Sequence, residues 1–131
     1  MELQISYAGK KRVNAQVEGH TILTDQSVEE GGENSAPSPL QYCLASLGTC
    51  AAVYVLAYLE ARELPSQGVK IIQTQVFDEK LHRITAVKMD IQLPPGIPEK
   101  HKKAIVRSAQ LCTVKKLFEN PPAFEVIASS V

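Results

Sequence analysis

Hydrophobic and polar residues alternate from the start of the chain. Leu3-Gln4-Ile5-Ser6-Tyr7 and Val13-Asn14-Ala15-Gln16-Val17 carry the two-residue period of strands, with a turn at Ala8-Gly9-Lys10-Lys11 between them. Glu18-Gly19 marks a second turn, and His20-Thr21-Ile22-Leu23-Thr24 reads as a third strand. Residues 25–39 are rich in Gly, Ser, Glu and Pro, with Gly31-Gly32 at their centre. They form a loop too short for an interdomain linker, though long enough to serve function.

The pattern then changes. From Asn34 to Leu59 no side chain is charged. Ser38 suits a helix N-cap and Pro39 the first helical position, where a missing N–H costs nothing. The helix runs on to Glu63, with Pro65 as its stop. Its length and apolarity invite a membrane reading. Against it, Gln41, Ser46, Thr49 and three tyrosines interrupt the run, and Pro37 to Pro39 spend its first part as loop. A helix apolar on all sides belongs in a protein core.

Two strands follow, Val69 to Phe77 and Ile84 to Leu93, joined around Asp78-Glu79-Lys80. In the second, Val87, Met89, Ile91 and Leu93 alternate with Lys88, Asp90 and Gln92, which describes one buried and one wet face. Pro94-Pro95-Gly96 ends it. A second helix starts near Pro98-Glu99 with Ile105, Ala109 and Cys112 on one stripe. Thr113 is placed to cap a short third helix, Val114 to Glu119, and a last strand spans Phe124 to Ser129. The order βββ-α-ββ-α-α-β predicts an α+β fold, antiparallel sheet with segregated helices, as a single domain over residues 1–131.

Composition narrows the function. Fourteen basic residues balance fourteen acidic ones, so the chain lacks the basic stripe of a nucleic-acid binder. With 44% hydrophobic residues it can pack a core; with 5% aromatics and no Trp, that core is aliphatic. The N-terminus lacks the features of a secretory signal, and three cysteines do not make a disulfide scaffold, so a cytoplasmic location is expected. No membrane partner is expected. His20, His82 and His101 show no metal-ligand spacing, and no nucleotide fingerprint or Gly-x-Ser-x-Gly elbow occurs, so neither metal nor cofactor is expected.

The cysteines remain. Cys43 and Cys50 are seven residues apart on one predicted helix, with Cα atoms about 10 Å apart, too far for a disulfide. Cys112 lies in another element and can meet either of them. By residue type alone, all three also fit as small buried hydrophobes.

The stretch Ser35-Ala-Pro-Ser-Pro-Leu-Gln-Tyr-Cys-Leu-Ala-Ser-Leu-Gly-Thr-Cys50 resembles the signature of the osmotically inducible protein C/organic hydroperoxide resistance (OsmC/Ohr) superfamily. There a Pro-capped helix rich in small residues carries the first cysteine after a Leu-Gly-like pair. Cys112, in Gln110-Leu-Cys-Thr-Val, matches the second family cysteine in order and setting. The resemblance implies an OsmC-like fold, an intertwined homodimer whose long central helices are buried at its middle, with sites at the interface. The small residues at 45, 46, 48, 51 and 52 would then let helices approach closely. It implies a thiol peroxidase for organic hydroperoxides in oxidative-stress defence. Cys50 would be oxidised to a sulfenic acid, Cys112 would resolve it to a disulfide, and an external dithiol would reduce that disulfide.

The chain also departs from the best-characterised members. They pair a glutamate ten residues before the first cysteine with an N-terminal arginine. Here Leu40 and then Gln41 occupy that place, leaving Arg12 as the candidate thiolate-stabilising cation. Thr113 stands where a proline often follows the second cysteine. This departure implies a divergent branch, with a thiol pKa near the ordinary value of about 8.5. A second reading is a non-catalytic member that binds a small apolar ligand at the dimer interface, with structural or redox-sensing thiols.

Overall fold

The alternation at the N-terminus folds as a meander. The computed structural model describes all 131 residues and divides into two compact units, Met1–Ala45 and Ser46–Val131. In the first, β1 (Gln4–Tyr7), β2 (Val13–Val17) and β3 (His20–Thr24) form an antiparallel sheet in that order. Glu18 (φ 45°) and Gly19 (φ 83°) make the two-residue β2–β3 turn, with Val17 opposite His20. Positive φ at both centres matches the strand twist and is the reason for glycine there.

Residues 25–37 are ordered around one carboxylate. Asp25 is 1% exposed and accepts the N–H groups of Gln26 (2.8 Å), Ser35 (3.0 Å) and Glu33 (3.3 Å), together with the Ser35 hydroxyl. These donors favour the ionised form and hold its pKa down to about 2. A Cβ at Gly32 would run into the Gln26 carbonyl and the Asp25 carboxylate, so only glycine fits that approach.

The long helix α1 spans Pro39–Ala61, two residues short of the expected Glu63. Glu63 takes φ 53° and the Leu64 N–H returns to the Leu59 carbonyl at 2.9 Å, which closes the helix before Pro65. At its start, Ser38 caps as expected, and Gln41 completes a reciprocal box. The Gln41 N–H donates to Ser38 Oγ (3.2 Å), and the Ser38 N–H donates to Gln41 Oε1 (2.8 Å). The Tyr42 hydroxyl donates to the Leu23 carbonyl (2.8 Å) and ties the helix start to β3.

In the second unit, α1 buries one stripe, Leu47, Ala51, Val55 and Leu59, at the four-residue spacing of a single helix face. Burial on all sides is not reached within one chain: Leu40 and Val53 are exposed, and Leu56 is 40% exposed. By length and composition α1 is also apolar enough to cross a membrane. A core helix passes the same test.

The hairpin β4 (Lys70–Asp78) and β5 (Arg83–Gln92) is antiparallel, with a register shift at Val76/Phe77. Val69, Ile71, Ile91 and Leu93 at one end pack on Val55, Leu59, Ile97 and Ile105, the centre of the core. The other end lies beyond that cover, so Val87, expected on the buried face, is 38% exposed.

A 3₁₀ turn (Glu99–His101) leads into α2 (Lys102–Ala109), and α3 spans Thr113–Glu119. Cys112 therefore does not continue the stripe of Ile105 and Ala109. The chain leaves the helix at Gln110, and Cys112, rather than Thr113, is the N-cap of α3; its Sγ accepts the Lys115 N–H at 3.4 Å. The expected strand at residues 124–129 does not form. A strand needs a partner for its backbone N–H and C=O groups, and Phe124, Val126 and Ile127 lie exposed without one.

Candidate thiol site

Two helix surfaces deliver two sulfurs to one place. Cys50 lies on α1 between Leu47 and Ala51 of the buried stripe and is half-buried; Cys112, at the start of α3, is 1% exposed. Both thiols are free and within hydrogen-bonding reach of each other. Cys43, two turns earlier on α1, is exposed.

The surroundings separate the two sulfurs chemically. Cys50 receives the backbone N–H of Val114, the thiol of Cys112 and the backbone N–H of Thr113, which together outweigh partial burial and lower its pKa. Burial pushes the Cys112 thiol up, and its hydrogen bond to Cys50 adds to that. The Leu47 carbonyl, 3.7 Å from Cys112 Sγ, is an alternative acceptor for the same S–H. A thiolate is favoured at Cys50 and a neutral thiol at Cys112, as donors aimed at one sulfur and burial of the other require.

This corrects the expectation that an absent glutamate leaves an ordinary thiol. Gln41, near the carboxylate's expected place, serves as a helix cap. Donors to Cys50 come instead from the chain that follows Cys112, where Thr113 supplies an N–H that proline would lack. Arg12 belongs to the N-terminal unit, on the β1–β2 turn, where its Nε–H donates to the Gly9 carbonyl at 3.4 Å.

The Gln73 amide of β4 lies against Gly48, where a Cβ would meet it at 2.5 Å. Tyr54, one turn beyond Cys50, shares a hydrogen bond of 2.8 Å with Thr113 Oγ1. Its spacing of four from Cys50 was the available signal, since residues i and i+4 share a helix face.

His101 shares a 2.8 Å hydrogen bond with the Tyr58 hydroxyl, while the Arg62 guanidinium lies 3.7 Å over the Tyr58 ring. His20 and His82 are exposed. No group of three His, Cys, Asp or Glu side chains is placed to hold a metal ion. A cavity of about 400 Å³ on α2 is lined by Lys102, Lys103, Val106, Arg107 and Gln110, and none of the cysteines borders it.

A family model described as OsmC-like protein matches residues 32–127. A search of curated proteins found no match. Among solved structures, one similar chain is a Psychrobacter arcticus 273-4 protein whose name links it to osmotic stress and a detoxification response. It shares 24% identity at TM-score 0.74, over 87% of this chain and 85% of that one. An OsmC-like protein of unknown function from Vibrio cholerae O1 biovar eltor aligns at TM-score 0.63 and 9% identity, over 88% of this chain and 90% of that one. At these identities the structural matches show the fold.

Proposed function

The chain belongs to the OsmC-like protein family, and from that premise we propose that it is a thiol-dependent peroxidase acting on organic hydroperoxides. One observation carries the reading: two free sulfurs in contact, with the pKa of Cys50 lowered and that of Cys112 raised. A peroxidatic thiol must be a thiolate, and a resolving thiol must wait beside it.

The Cys50 thiolate attacks the terminal oxygen of the hydroperoxide. The S–O bond forms as the O–O bond breaks, and the departing alkoxide takes up a proton to become an alcohol. Sulfur is oxidised to sulfenic acid and the peroxide is reduced. Cys112 then loses its proton and attacks the Cys50 sulfur, hydroxide leaves as water, and a disulfide joins the two. An external dithiol takes up the oxidising equivalents and restores both thiols. Such recycling needs a reducing compartment, so the reading is of a cytoplasmic enzyme in oxidative-stress defence. Arg12 enters as an auxiliary cation for the thiolate. Arg12→Ala is expected to slow turnover without abolishing it, and complete loss would make the arginine the dominant partner.

The functional assembly in this reading is a homodimer. The exposed faces of α1 and the exposed apolar segment 124–127 are the surfaces a second copy would cover.

The test is mass spectrometry of protein treated with cumene hydroperoxide. A Cys50–Cys112 disulfide should form before any modification of Cys43, with one alcohol released per disulfide. Folded protein that leaves both thiols reduced would overturn the enzyme and favour a member that binds a small apolar ligand.

A further inference from the structure

Tyr54 takes no part in the redox steps, yet its hydrogen bond joins the same two elements as the sulfur pair. Its hydroxyl lies 2.8 Å from Thr113 Oγ1, and Thr113 directly follows Cys112. The N–H groups directed at Cys50 belong to Thr113 and Val114. Hydrogen bonds weaken steeply with misalignment, so whatever fixes this short segment fixes the donors to the sulfur.

Two further contacts at this junction run through Cys112 Sγ. It accepts the Lys115 N–H at 3.4 Å and lies 3.7 Å from the Leu47 carbonyl. An S–S bond is about 2.05 Å long, so sulfurs that now share a hydrogen bond must close in to form it. Both contacts of Cys112 Sγ depend on where that sulfur sits. The tie from Tyr54 to Thr113 uses no sulfur. Lys115 itself is engaged with Glu119 at 3.1 Å, and Cys112 is the titratable group that interacts with Cys50.

We propose that Tyr54 is a positioning residue: through the Thr113 hydroxyl it holds the Thr113 and Val114 N–H groups on Cys50 and anchors the start of α3 while Cys112 is drawn into the disulfide. The proposal rests on Cys50 and Cys112 being the redox pair.

The experiment measures iodoacetamide alkylation of Cys50 against pH, read by peptide mass spectrometry in a Cys43→Ala background. Tyr54→Phe and Thr113→Val should each raise the alkylation midpoint by roughly 0.5–1 pH unit, the size expected for loosened hydrogen bonds to a charged sulfur. Thr113→Ser keeps the hydroxyl and should retain the parent midpoint. The double variant Tyr54→Phe/Thr113→Val should move no further than either single one, because both remove one interaction. Circular dichroism checks that each variant is folded. An unmoved midpoint in folded Tyr54→Phe, or shifts that add, would overturn the proposal. Alkylation consumes no peroxide, so the two readings fail separately. Shifted midpoints in a protein inert to hydroperoxide would end the peroxidase reading, and with it the anchoring role, and leave Tyr54 only as the residue that holds the donors on Cys50. Brisk turnover with an unmoved midpoint would end the role of Tyr54 alone.

Discussion

At the scale of single residues, reactivity here is a matter of what each sulfur touches. Three cysteines share one intrinsic chemistry, and their settings divide them into a thiol whose charged form is favoured by donors, a buried thiol and an exposed one. Cys50→Ser should abolish peroxide reduction, since a serine hydroxyl at neutral pH is a poor nucleophile. Cys112→Ser should still permit the first oxidation. Cys50 then accumulates as sulfenic acid and passes to sulfinic acid under excess peroxide, which intact-mass measurement detects as added oxygen. Cys43→Ala should turn over like the parent. The rate should climb with pH through a midpoint below the ordinary thiol value, because donors to Cys50 favour its charged form. A midpoint at or above about 8.5 would mean that those donors do not act in solution.

At the scale of elements, loop 25–37 and the start of α1 depend on small polar knots. Asp25 is ionised at lower pH in the fold than in the unfolded chain, about 2 against 3.8. The unfolded state therefore binds the proton first as acid is added. The stability contributed is complete above pH 3.8 and disappears as pH falls toward 2. Asp25→Asn should lower the urea midpoint at neutral pH and flatten its acid dependence in that window. An unchanged acid slope would remove Asp25 from the account. Ser38→Ala deletes one half of the cap and should cost about 1 kcal/mol in the same titration.

At the scale of the molecule, the unresolved need is cover for apolar surface. One chain buries a single stripe of α1 and leaves Phe124, Val126 and Ile127 in water. In the proposed homodimer a second copy would cover both. Light scattering should give twice the 14.3 kDa chain mass at micromolar concentration. Val53→Glu with Leu56→Glu should shift it to a monomer, since a charge at a packed interface costs more than such an interface returns. A parent protein at the single-chain mass would refute the dimer. A parent protein found only with lipid or detergent would instead make α1 a membrane element.

Read from its residues, the chain already declares most of its elements. Alternation marks β1, β2 and β5, Ser38-Pro39 marks the helix start, and the Cys50 helix marks the family, because period, capping and motif are local properties. The strand expected at 124–129 fails for the complementary reason: its pattern is local, but a strand exists only where another chain segment pairs with it. The same division runs through the thiol site. The identities of Cys50 and Cys112 were legible, as was the absence of a carboxylate at Leu40. That absence suggests a more weakly activated thiol, because no side chain in the sequence announces a backbone donor. Only the fold turns the break after Ala109 into a cap, aims Thr113 and Val114 at Cys50, and seats Gln73 against Gly48. Backbone N–H groups are present at every residue but proline, so their chemistry is decided by where tertiary packing points them.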